Sequence, residues 1–315
     1  MKTNRLGARV KAGDRNALSQ AITFVEDDQE KAGRLLGSLR CEGNAFVIGV
    51  TGAPGTGKST LIARLIQAYR KKGAKVGVVA VDPTSPLTGG ALLGDRVRMS
   101  DFSNDPGVYI RSMASRGWTG GLSRAVADVV RLYDAAGMDV AIVETVGTGQ
   151  SETEVVGISH VVLVVLIPGM GDEVQASKAG LMEVGDIFVV NKSDLPGADR
   201  EVVSILSMTR GRAESKAVVK VSAAKGEGIE KLFTMLETKR RAFLEGNVEA
   251  RAKSVRGMII ELAKADLLER VSKYPPKEID ALANGVLQKK VSVEDAAEDL
   301  VKRISGARPG RTSAR

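Results

Sequence analysis

The chain has 315 residues, 43% apolar and 27% charged, enough for one large domain with extensions or for two small ones. No apolar run is long enough to cross a bilayer, the N-terminus lacks the apolar stretch of a signal peptide, and Cys41, the only cysteine, excludes an intrachain disulfide, so a cytoplasmic protein with no membrane partner is expected. The net charge of +8 raises the question of nucleic acid, but the densest basic groups (Arg70–Lys72, Lys239–Arg241 and the tail ARPGRTSAR) lie apart and have no interleaved aromatics to stack bases, so the reading is a solvated basic surface with no nucleic-acid partner.

Residues 1–44 read as a helical extension. Leu18, Ile22 and Val25 keep a helical spacing behind a cap at Asp14, and Ala32, Leu35, Leu36 and Leu39 form a second stripe. From Ala45 the pattern changes to short apolar runs alternating with amphipathic helices. The runs are FVIGV (46–50), KVGVVAV (75–81), DVAIVE (139–144), HVVLVVLI (160–167), DIFVVN (186–191) and AVVKVS (217–222). Continuous apolar runs suit strands covered on both faces, and their alternation with helices predicts a doubly wound α/β domain with a mainly parallel sheet over 45–246.

Helical spacing returns over 247–305. Ile260, Ala263, Leu267 and Val271 make one stripe; Val293, Ala296, Ala297, Leu300, Val301 and Ile304 make another, opened by Ser292 and Asp295 in a capping-box arrangement. Tyr274-Pro275-Pro276 separates the two. Residues 306–315, rich in Gly, Arg and Ser, are expected to be disordered.

Within the central region, Gly52-Ala53-Pro54-Gly55-Thr56-Gly57-Lys58-Ser59 matches G-x-x-x-x-G-K-[ST], between the run FVIGV and a helical segment that continues through Thr60. That context defines a P-loop: glycines let backbone N–H groups turn towards phosphate oxygens, and the helix N-terminus adds partial positive charge. Lys58 is expected to reach the β- and γ-phosphates, and Ser59 to ligate magnesium. Asn191-Lys192-Ser193-Asp194, closing the run DIFVVN, matches N-K-x-D. A carboxylate at Asp194 accepts from guanine N1–H and its C2 amine, donors that adenine lacks. Ser222-Ala223-Ala224 resembles the loop whose N–H groups meet guanine O6. GTP and GDP are the expected ligands.

For the metal, Asp82 ends one apolar run, Asp95 lies in the loop PTSPLTGGALLGDRVRM, and Glu144 ends another at the edge where ligands gather. Glu144-Thr145-Val146-Gly147 resembles the D-x-x-G switch with Glu for Asp, so Gly147 is expected to sense the γ-phosphate and Glu144 to hold a magnesium water or orient the attacking one. Thr148 stands where common GTPases place Gln, whereas Gln150 follows shortly after as a further candidate beside the reacting water. Slow intrinsic turnover is expected.

Together TGAPGTGKST, VDPTSPLTGGALLGDRVRM, PGVYIRSMASRG, ETVGTGQSE, IPGMGDEVQASKAGLMEVGD and NKSD resemble the MeaB/ArgK GTPases over residues 14–236. That family acts as chaperones for adenosylcobalamin-dependent acyl-CoA mutases such as methylmalonyl-CoA mutase. The resemblance implies GTP hydrolysis, Asp82, Asp95 and Glu144 around the metal, and residues 169–178 as a loop coupling nucleotide state to a client mutase. It also implies a homodimer built by the C-terminal helices. Thr148, where the family usually has Val, and Trp118-Thr119 depart from the pattern.

Three other readings compete. Related GTPases deliver metals through Cys- or His-rich segments, but only Cys41 and His160 are present, and His160 heads an apolar run as a packing histidine would. A kinase for amino-acid-binding proteins conflicts with the guanine motif. A GTP-gated binding module stays open beside the enzyme.

Overall fold

The six apolar runs become strands of one sheet, five of them inner and the last at an edge. In the computed structural model, which describes residues 2–39, 43–82, 99–102, 104–114, 121–145, 157–169, 182–209, 216–246 and 248–306, these are β1 (Phe46–Thr51), β2 (Val76–Asp82), β4 (Val140–Glu144), β5 (Val161–Leu166), β6 (Ile187–Val190) and β7 (Ala217–Lys220). A further strand, β3 (Val108–Ala114), completes the order β3-β2-β4-β1-β5-β6-β7, with every neighbouring pair parallel. All residues of β1, β4 and β5 are buried, as helices on both faces require. Each buried Val, Leu or Ile contributes about 1.5–3 kcal/mol, against the entropy of ordering it.

The apolar runs did not announce β3. It lies at the sheet edge, where Tyr109 and Met113 are buried on one face and Arg111, on that same face, pairs with Glu26. An edge strand that carries an ion pair has no continuous apolar run to betray it.

One face of the sheet is covered by α4 (Lys58–Lys71) and α7 (Ile229–Leu244), which enclose Ile48, Val50, Leu61, Leu65, Leu232 and Leu236. On the other face α5 (Gly121–Ala135) lies over β2 and β4, and the hairpins of α1 (Lys2–Lys11), α2 (Arg15–Asp27) and α3 (Gln29–Ser38) pack outside it. Helix α6 (Ala198–Thr209) closes the β6 side with Ala198 and Ile205. Asp14 caps α2 as expected, accepting from Asn16 N–H at 2.9 Å and Ala17 N–H at 3.0 Å. The Ala17 N–H, then Arg9, hold its carboxyl below the usual range. Both predicted N-terminal stripes are buried.

Beyond Gly246 come α8 (Val248–Ser272), α9 (Pro276–Leu287) and α10 (Val293–Ile304). The capping box forms: Ser292 Oγ accepts from Asp295 N–H at 3.0 Å, and Asp295 Oδ2 accepts from Ser292 N–H at 3.4 Å. The first C-terminal stripe is not the side on which its helix docks within the chain. Helix α8 packs inward through Met258, Leu262 and Ala265, while Ile260 and Leu267 stay 46% and 40% exposed. Apolar residues surround this helix, so spacing alone does not choose the buried side. Gly257 marks the docked side, because its missing Cβ lets the helix meet the carbonyl of Gly157. Arg124 of α5 adds ion pairs to Asp266 at 3.7 Å and Glu269 at 3.5 Å. No helix among the described residues is long and apolar enough to cross a membrane.

Candidate active site

Strand β1 lies between β4 and β5, so residues 52–57 emerge at the carboxyl edge of the sheet's centre, where open α/β sheets collect ligands. Gly57 carries the turn into α4 with φ 88°, a left-handed value, and a Cβ there would stand 2.5 Å from Asn191 Nδ2. Lys58 opens the helix and folds back over the loop, its Nζ donating to Gly52 O at 2.7 Å and Ala53 O at 3.2 Å. At 7% exposure the ammonium is held by carbonyl oxygens, a position from which it can exchange them for phosphate oxygens. Thr56 Oγ1 donates to Ala53 O at 2.9 Å and tightens the same turn.

The next residue, Ser59, reaches across the sheet edge. Its Oγ donates to Glu144 Oε1 at 2.9 Å, and both side chains are buried. Register explains the meeting: β4 runs between β1 and β2, placing Glu144 opposite Val50 on one side and Ala80 on the other. A second link joins the hydroxyls of Thr145 and Thr51 at 3.1 Å. Asp82 ends β2 at this same edge. Asp95, Gly147, Thr148, Gln150, Trp118 and Thr119 lie outside the described residues, as do nearly all of loop 169–178 and the tail beyond 306.

The guanine motif sits beside the phosphate loop and is bonded to it. Asn191, 2% exposed, donates from Nδ2 to Thr56 O at 2.8 Å, and its Oδ1 accepts from Ala223 N–H at 3.1 Å. One side chain therefore joins three loops. Lys192 takes a left-handed φ of 54°, a conformation that non-glycine residues adopt mostly where the surroundings impose it. Asp194 follows with Oδ1 accepting from Ser222 Oγ at 2.7 Å and Lys225 Nζ 3.7 Å from Oδ2. The Ser222 hydroxyl, its own backbone N–H and the Lys225 ammonium hold its carboxyl below the ordinary range, so it is an ionised acceptor at neutral pH. Asn191, Asp194, Ser222 and Ala223 are thus brought together.

Arg64 is a participant that motif reading missed. Standing on α4, it donates from Nε to Ala223 O at 2.8 Å and from Nη2 to Ala224 O at 2.7 Å. An arginine on an amphipathic helix carries no sequence signal that separates this role from a solvated one. His160 has the packing role anticipated for it: Nδ1 accepts from Val47 N–H at 2.8 Å, and the ring stacks on Phe46 at 5.6 Å.

Comparison with known proteins agrees with this geometry. The family model described as Methylmalonyl Co-A mutase-associated GTPase MeaB matches residues 18–275. A relative from Pyrococcus abyssi is 43% identical over 310 residues, 95% of both chains. The GTPase ArgK of Escherichia coli is 45% identical over 192 residues, 59% of this chain and 58% of that one. A crystal structure described as LAO/AO transport system kinase superposes with a TM-score of 0.68 at 28% identity, covering 96% of this chain and 97% of that one. A P-loop beside a guanine motif on a seven-stranded parallel sheet, matched along most of its length by one family, makes this chain a GTP-hydrolysing member of the MeaB family of methylmalonyl Co-A mutase-associated GTPases.

Proposed function

We propose that the chain binds GTP with magnesium and uses the nucleotide state to control its association with a cobalamin-dependent acyl-CoA mutase of the methylmalonyl-CoA type, gating cofactor loading or protecting the loaded enzyme. The observation that carries this reading is the family match over residues 18–275, which includes both nucleotide motifs. In it, the loop Gly52–Ser59 surrounds the phosphates and Lys58 leaves its carbonyl partners for the β- and γ-phosphate oxygens. Asn191 orients the base loops, Asp194 takes the two guanine donors, and N–H groups of the 222–224 loop face O6.

Buried Ser59 Oγ and the Glu144 carboxylate, 2.9 Å apart, are the hard oxygen donors that magnesium takes, with Asp82 at the neighbouring strand end and Asp95 supplied by the resemblance. Bound there, magnesium would offset the charge of the β- and γ-phosphates. Glu144 then holds and orients water, Gly147 reads the γ-phosphate through its N–H, and Gln150 lies near the attacking water.

Coupling of binding events is reciprocal, so a mutase whose affinity depends on nucleotide must in turn change nucleotide affinity. The test measures complex formation with purified methylmalonyl-CoA mutase in GDP, in a non-hydrolysable GTP analogue and without nucleotide. Different affinities are expected; equal affinity removes the switch, and no binding in any state removes the client.

A further inference from the structure

Arg64 stands on the same helix as Lys58 and Ser59, yet its guanidinium serves the other end of the nucleotide site. We propose that Arg64 is a positioning residue for guanine selectivity, setting the orientation of the peptides that face the C6 oxygen of the base. The inference rests on the guanine-site reading above and extends it to a residue outside both motifs.

The geometry makes the case. Nε and Nη2 donate in a fork to two successive carbonyls, Ala223 O at 2.8 Å and Ala224 O at 2.7 Å. Among the described residues this guanidinium has no carboxylate partner; its remaining contact is a 3.4 Å donation to Gln67 Oε1. A peptide is planar and trans, so fixing a carbonyl on one side fixes the N–H of the following residue on the other. The Ala224 and Lys225 N–H groups are therefore turned away from α4. The turn itself closes through Gly226 N–H and Glu227 N–H onto Ser222 O, which leaves the Ala224 N–H out of its closure. Ala223 N–H, in the preceding peptide, already faces Asn191 Oδ1.

Two anchors tie this loop back to the phosphate loop. Asn191 ties Ala223 to Thr56, and Arg64 ties Ala223 and Ala224 to the helix that begins at Lys58. The spacing between phosphate cradle and base cradle is set by one rigid helix. A lysine could hold one of the two carbonyls but lacks the planar fork that holds both.

The test compares GDP, ADP and the diphosphate of 2-aminopurine riboside, which keeps the C2 amine but lacks the C6 oxygen and, with it, the N1–H. Affinities of Arg64→Ala and Arg64→Lys are measured by calorimetry on the full chain. Arg64→Ala is expected to weaken GDP about tenfold or more while ADP and the 2-aminopurine nucleotide change by less than about twofold. Arg64→Lys, which keeps charge and stem, is expected to fall between. In steady state, KM for GTP should rise by the GDP factor, with kcat changed by less than about twofold. Equal weakening of all three nucleotides, or unchanged GDP affinity in both variants, overturns the proposal. Asp194→Asn is run alongside. If it shifts guanine preference and Arg64→Ala does not, only the Arg64 inference falls; if neither does, the guanine-site reading falls with it.

Discussion

Ser59 Oγ donates to Glu144 Oε1 at 2.9 Å across 85 residues of sequence, joining the first turn of the phosphate-loop helix to the end of β4. The serine is fixed by α4, and the glutamate by its place between β1 and β2, so neither has to search for the other. Such preorganisation matters most when charge develops on transferring oxygens. Glu144→Ala is expected to leave GTP affinity within a few-fold and to slow single-turnover hydrolysis on the order of 10²-fold. Lys58→Ala should instead weaken the triphosphate itself, on the order of 10²-fold, because a charge-assisted contact is lost in the ground state. Equilibrium binding and single-turnover rates separate the two; hydrolysis at the normal rate in Glu144→Ala removes the glutamate from the chemistry.

Asp194 carries a pH signature. Its carboxyl is held below the ordinary range, first by the Ser222 hydroxyl, so the ionised acceptor persists as pH falls and is lost only on passing that depressed value. The ratio of GDP to ADP affinity, in which phosphate protonation cancels, should stay flat between about pH 7 and 5. In Ser222→Ala the carboxyl regains a more ordinary value and the ratio should begin to fall at higher pH. Asp194→Asn should favour xanthosine triphosphate over GTP, since an amide donor suits its C2 carbonyl. Equal affinity of the unaltered protein for ATP and GTP would remove Asp194 from base selection.

The parts that were legible in the sequence are those whose physics is local. Inner strands such as Val161–Leu166 are buried on both faces and must be apolar throughout, and the turn at Gly57 admits no Cβ, so both leave a mark in a few consecutive residues. Where the cause lies far along the chain, no local mark exists. Arg111 looks like a reason to deny β3 until Glu26 is seen beside it, and Arg64 answers to carbonyls about 160 residues away. In α8 the apolar residues surround the helix, and the docked side follows from the backbone approach at Gly257 rather than from any stripe.

That approach is open to measurement. In the middle of a helix, Gly→Ala ordinarily stabilises by about 0.5–1 kcal/mol. At Gly33 of α3 a Cβ meets nothing within 4 Å, and Gly33→Ala should show this gain. At Gly257 the added Cβ would run into the backbone oxygen of Gly157, and forcing the two apart costs about 1–3 kcal/mol. Gly257→Ala should therefore lower the melting temperature while Gly33→Ala raises it. A stabilised Gly257→Ala would show that α8 does not dock as closely as described.

The outward side of α8 leads to the last prediction. Val255, Ile259, Ile260, Leu267 and Leu268 are all exposed, Ile259 to 61%, and Leu287, Val293 and Val301 add apolar surface on α9 and α10. Isolated exposed apolar residues are ordinary, but a series along one 25-residue helix is costly to leave in water and marks a surface that is covered in use. A second copy of the chain is the occupant expected here, because a two-fold axis lets one helix cover its own counterpart and buries the same residues twice. Sedimentation velocity at micromolar concentration should report a dimer. Ile259→Glu with Leu267→Glu places two carboxylates per chain at the seam, where each would be desolvated without a partner. The double variant should sediment as a monomer with its GDP affinity unchanged, since neither residue belongs to the phosphate loop or the guanine motif. A monomeric unaltered chain, or a double variant that still dimerises, would assign this surface to something other than self-association.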